Sequence, residues 1–155
     1  MRLRSAGITL LLLAAAACKS SDATGPNNNN NNHPANGSMT AIIDGAAWNA
    51  ALTVHASNTN GIIGVAGTDA AQTIAFALAA NGTGTFSIGP LNPENAELTT
   101  TGGIVFTAAG NVGSGSVTIT SLTSTAVAGT FTFTMGKSGG GVNKSVTNGA
   151  FNIRF

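Results

Sequence analysis

Beyond residue 38 the chain is written in short runs where large apolar residues alternate with small or polar ones. In Thr73-Ile74-Ala75-Phe76-Ala77-Leu78 the large side chains fall on every second position. Phe131, Phe133 and Met135 are separated by Thr132 and Thr134, and Val117 and Ile119 by Thr118. Phe151, Ile153 and Phe155 are separated by Asn152 and Arg154. Extended backbone sends successive side chains to opposite faces, so each run predicts a strand with one buried and one wet face. Threonine, β-branched and polar, suits the wet face of an antiparallel sheet. The runs recur about every ten residues between clusters of Gly, Asn, Asp and Ser. A helical apolar period persists nowhere in this region. The prediction is all-β: a single antiparallel β-sandwich or closed β-barrel-like domain of roughly 8–10 short strands over residues 39–155.

Turn chemistry punctuates the runs. Asp44-Gly45, Asn60-Gly61, Asn81-Gly82 and Asn148-Gly149 suit backbone positions with φ > 0. Pro90 and Pro93 bracket a longer connection from Gly89 to Glu97, and Gly136 to Ser145 reads as a second, flexible loop. Ala46-Ala47 and Ala70-Ala71 allow a single helical turn each. A short motif recurs in Gly84-Thr85-Phe86-Ser87-Ile88, Gly129-Thr130-Phe131-Thr132-Phe133 and Gly149-Ala150-Phe151-Asn152-Ile153. Its unequal spacing excludes a solenoid or propeller array. Each copy is expected to be a glycine turn feeding a strand whose Phe enters the core. Phe76, Phe131, Phe133, Phe151 and Phe155 should converge on one interior, filled in a sandwich and hollow in a ligand carrier.

The N-terminus has a different character. Residues 1–18 read MRLRSAGITLLLLAAAAC: basic Arg2 and Arg4, an apolar stretch from Ala6 to Leu13, then small residues Ala14 to Ala17. The uncharged run is too short for the roughly 20 residues that cross a bilayer, so residues 1–17 read as a cleaved export signal. The single cysteine of the chain, Cys18, follows directly. Ala15-Ala16-Ala17-Cys18 resembles a bacterial lipoprotein signal, in which the cysteine is lipidated and becomes the new N-terminus. It departs from the pattern at Ala15, where leucine is commoner. Lys19, by the same resemblance, fits sorting to the outer membrane. A lone cysteine has no disulfide partner within the chain. The alternative is an ordinary signal peptide that leaves a spare thiol.

Residues 18–38 then form a polar tether containing the run Asn27 to Asn32, with too little apolar surface to order itself. Charge adds one exclusion. Charged residues make up 7% of the chain, against about 25% in an average soluble protein. After the signal, Lys19, Lys137, Lys144 and Arg154 face Asp22, Asp44, Asp69, Glu94 and Glu97. Such a balance does not suit nucleic acid. The partner expected is the membrane, through a lipid on Cys18.

Candidate chemistry is sparse. The histidines are His33, inside the tether, and His55, whose alternation with Val54 and Ala56 places it on a solvated outer face. No catalytic triad, nucleophile elbow, calcium loop or phosphate loop can be assembled; Gly113-Ser114-Gly115 and Gly136-Lys137-Ser138 are near misses. Glu94 and Glu97 lie in or beside the proline-bounded loop, which does not hold a glycosidase pair rigidly. Asp44 and Asp69 sit in turns, where Asp caps backbone. Trp48, just past the Asp44-Gly45 turn, is expected to plug the core, with an exposed sugar-stacking role as the alternative. No catalytic, metal or cofactor residues are therefore assigned.

Asp44-Gly45-Ala46-Ala47-Trp48, Gly115-Ser116-Val117-Thr118-Ile119, Gly129-Thr130-Phe131-Thr132-Phe133 and Asn148-Gly149-Ala150-Phe151 together resemble a group of small uncharacterised bacterial lipoproteins. That resemblance implies a lipidated signal, a polar tether and one β domain, and brings no activity with it. The expectation is a non-enzymatic, lipid-anchored cell-envelope protein with a structural or binding domain. The alternative is a carrier of a small apolar ligand in a β-barrel cavity.

Overall fold

A computed structural model describes residues 36–90, 92–137 and 140–155. The signal, Cys18, His33 and the asparagine run lie outside the described residues. Among the described residues every regular element is a strand. In chain order these are β1 Gly37–Ile43, β2 Ala46–Asn49, β3 Thr53–Thr59, β4 Ile62–Thr68, β5 Gln72–Ala79 and β6 Gly84–Ile88. They continue with β7 Asn95–Thr100, β8 Val105–Ala108, β9 Ser114–Leu122, β10 Ala126–Lys137 and β11 Lys144–Arg154. The all-β expectation is met, with eleven strands. The count exceeds the sequence spacing because β2 and β8 have four residues each, too few to show alternation. Strand β1 also takes in Gly37 and Ser38 from the end of the expected tether.

All pairings are antiparallel, in the order β2-β1-β11-β10-β8-β7-β5-β4-β3, with β9 pairing β10 and β6. Strand β10 belongs to two layers. Its first part pairs β9 and β11, and its end, Gly136 and Lys137, pairs Thr107 and Phe106 of β8. The path ends at β2 and β3, which only Ala50 to Leu52 connect, so the chain itself bends from one layer into the other. The two layers, β6-β9-β10-β11-β1-β2 and β8-β7-β5-β4-β3, close over a single core.

Phe76 from one layer meets Phe131, Phe133 and Phe151 from the other at centroid distances of 5.5, 5.9 and 5.4 Å. Rings at such spacing contact one another instead of lining a void. Ile74, Leu78, Val117, Ile119 and Ile153 are buried around them. Trp48 is 5% exposed and plugs the core as expected, above Gly67, where a Cβ would stand 3.1 Å from Trp48 Cη2. Its indole Nε1 has no hydrogen-bond partner among the described residues.

Several local expectations are corrected. Phe155 is 39% exposed, because β11 ends at Arg154 and the partner strand β1 begins opposite Ile153. Ala46-Ala47 opens strand β2 and is not a helical turn. Asp44-Gly45 and Asn60-Gly61 take the left-handed backbone, but Asn81-Gly82 does not. The segment it occupies joins β5 to β6, which are not paired, so no tight hairpin is required there. Gly129 and Asn148-Gly149 lie inside strands and not at turns. At Asn148 (φ 50°) the register slips, two residues of β11 standing against one of β10 and one of β1. This bulge keeps Val146 and Phe151 on the same buried face, which strict alternation would forbid. The loop after β10 is shorter than Gly136–Ser145, since Gly136, Lys137, Lys144 and Ser145 are all strand residues.

Candidate functional site

The outer face of the β4–β5 layer can be read rung by rung from its register. On one rung stand His55, Ala66, Ala75 and Glu97; on the next, Ser57, Gly64, Ala77 and Asn95. The two middle strands thus offer only hydrogen or methyl side chains, while β3 and β7 on either side carry longer polar ones. The result is a basin of about 310 Å³ lined by these eight residues together with Val65 and Phe76 between the two rungs. Three steps between strands set its walls roughly 14 Å apart. Thr68 and Thr73, whose hydroxyls are 3.0 Å apart, lie on the adjoining rung at one end. At the other, Pro93 stands against Ile62, Ala77 and Ala79 around a smaller hollow of about 80 Å³.

The structure brings together two residues that the sequence considered separately. His55 and Glu97 share a rung and are both exposed. Glu97 is not a loop residue: it lies in β7 with its side chain on the outer face, whereas Glu94 precedes that strand. Strand geometry therefore separates the two glutamates. Two intervening strands also keep His55 from acting on Glu97 directly. Among the described residues no three His, Asp or Glu side chains gather as a metal site. What the basin offers is hydrogen-bonding walls, one carboxylate and a floor of methyl groups.

The other turn acids serve the fold. Asp69 Oδ1 accepts from the backbone N–H groups of Ala71 at 2.7 Å and Gln72 at 2.6 Å. Asp44 accepts from Lys144 Nζ at 2.6 Å and from Ser145 N–H at 2.9 Å. The Lys144 hydrogen bond, then that of Ser145, holds the Asp44 carboxyl below its ordinary range. The Lys144 ammonium also lies 5.6 Å from the centre of the Phe106 ring. This cluster ties the β1–β2 turn to β8 and β11.

A second depression, about 380 Å³, lies on the outer face of the β10–β11 layer beside the bulge, lined by Ser116, Thr118, Thr130, Thr132, Asn148, Gly149 and Ala150. Some of its hydroxyls are already engaged: Thr118 bonds Thr85 at 2.9 Å, and Thr132 donates to the Val146 carbonyl at 3.1 Å. It carries no charge. Burial of Trp48 removes the exposed ring on which sugar stacking would rest.

Half of the basin's floor, Ala75 and Ala77, was visible in the sequence between large apolar residues, and β4 adds Gly64 and Ala66 beside them. The basin's walls were not visible, because they depend on β3 and β7 flanking β4 and β5. The molecule is thus a small two-layered antiparallel β domain with a polar-walled basin on one outer face. A model of the family described as a domain of unknown function, DUF6252, matches residues 35–153, and the chain belongs to that family. No curated protein and no solved structure matches the chain significantly.

Proposed function

We propose that the chain is a lipid-anchored protein of the bacterial cell envelope, held at the outer membrane through Cys18, whose β domain is a non-enzymatic binding module. The basin on the β4–β5 face is the observation that carries the binding role. It has the size of a small-molecule site and presents His55, Ser57, Asn95 and Glu97 around an uncluttered floor. The interior is the less favoured place for a ligand, because the core phenylalanines touch one another across the two layers. The anchor rests on the small-residue run that ends at Cys18 and on the polar tether behind it. More than one acyl chain, palmitate among them, gives firm membrane attachment.

Partition into Triton X-114 tests the anchor. The wild-type chain is expected in the detergent phase and Cys18→Ser in the aqueous phase, without its acyl mass. A Cys18→Ser chain that still partitions like wild type would remove the lipoprotein reading.

A further inference from the structure

Charge is distributed very unevenly along this fold. From Gly45 to Gly136 the sequence contains no Lys or Arg, so strands β2 to β9 carry no permanent positive charge. The same stretch holds Asp69, Glu94 and Glu97. The described basic residues, Lys137, Lys144 and Arg154, come from the end of β10 and from β11, and Lys144 is engaged by Asp44. Asp69 spends its carboxylate on two backbone N–H groups, and Glu94 does not line the basin. Glu97 differs from both. It stands exposed on the basin wall, and no cationic side chain among the described residues pairs with it.

We propose, resting on the reading of the basin as a binding face, that its ligand is a small organic cation: an ammonium or guanidinium on a short apolar stem. The charged head sits at Glu97. Asn95, two residues earlier on the same face of β7, places its amide oxygen beside that head as a second acceptor. The stem lies across the methyl groups of Ala66, Ala75 and Ala77, where it leaves no buried polar group unsatisfied. An anion of the same shape meets a carboxylate that no Lys or Arg offsets, His55 standing on the opposite wall across two strands. A neutral analogue gains the floor contact alone. The walls are far enough apart for a stem of several carbons to lie between them.

The test uses the whole chain, purified in a non-ionic detergent and labelled for amide NMR, titrated with n-hexylammonium, hexanol and hexanoate. Hexylammonium is expected to shift Gly64, Ala66, Ala75 and Ala77 saturably, with a Kd about tenfold below that of hexanol, and hexanoate to leave them unmoved. Glu97→Gln, at an exposed position, should keep the thermal midpoint and bring hexylammonium down to the level of hexanol. Equal binding of hexylammonium and hexanol, or an unchanged affinity in Glu97→Gln, would overturn the cation assignment while leaving the basin as a binding face. Absence of basin shifts with all three probes would overturn both.

Discussion

Two glycines in the middle of neighbouring strands each lie beneath a phenylalanine of the other strand. Phe131 stands opposite Gly149, and Phe151 opposite Gly129. A Cβ on Gly149 would run into the Phe131 ring, and one on Gly129 would come within 2.8 Å of Phe151 Cζ. An aromatic ring over a strand glycine covers backbone that would otherwise lack side-chain contact. Gly149→Ala is therefore expected to cost about 1–3 kcal/mol through overpacking, read as a lower urea midpoint. Gly82→Ala, where nothing lies within 4 Å and φ is ordinary, should be neutral or raise stability by up to about 1 kcal/mol. Asp44 gives a pH-dependent counterpart. Its folded carboxyl ionises below its ordinary value of 3.8, so the stability it adds is present above that value and fades as pH falls through the folded one. Its side chain is 40% exposed, which limits the effect to about 1 kcal/mol or less. Asp44→Asn should lower the urea midpoint slightly near neutral pH and leave it unchanged in acid. At this scale Phe76, Phe131, Phe133, Phe151, Ile74, Ile119 and Ile153 were legible in the alternation, whereas Phe155 is exposed and Phe86, expected in the core, is only partly buried against it. The Gly–Phe pairs were not legible, since sequence does not say which residues face each other across a strand pair.

At the scale of elements, the bulge in β11 decides which side chains reach the core. Val146 and Ile153 are both buried, an odd number of positions apart, and only the extra residue at Asn148 permits this. Asn tolerates the left-handed backbone there better than most residues other than Gly. Deleting Asn148 is expected to turn either Val146 or the Phe151–Ile153 pair toward solvent and to cost more than about 3 kcal/mol. Asn148→Gly should stay within about 1 kcal/mol of wild type, because glycine adopts that φ freely. Chemical denaturation distinguishes the two outcomes, and a tolerated deletion would show that the register does not depend on the bulge. The Asn-Gly dipeptide was recognisable from sequence as a site of positive φ. Its placement inside a strand was hidden, because a hairpin turn and a bulge make the same local demand. The link Ala50–Leu52, too short and plain to signal a change of layer, was hidden for a similar reason.

For the whole molecule, alternation and turn spacing indicated the all-β class, while the division into two layers rested on pairings between distant segments such as β1 with β11. The basin depends on those pairings too, which is why His55 and Glu97 looked unrelated along the chain. The central claim is that the two layers close over a filled core and that ligands meet the outside of the β4–β5 layer. Titration of the purified chain with an environment-sensitive fluorescent fatty acid, with the thermal midpoint followed in parallel, tests this most directly. No saturable binding and an unmoved midpoint are predicted. Stoichiometric binding with a matching rise in midpoint would contradict the filled core and make the domain a carrier of apolar ligands.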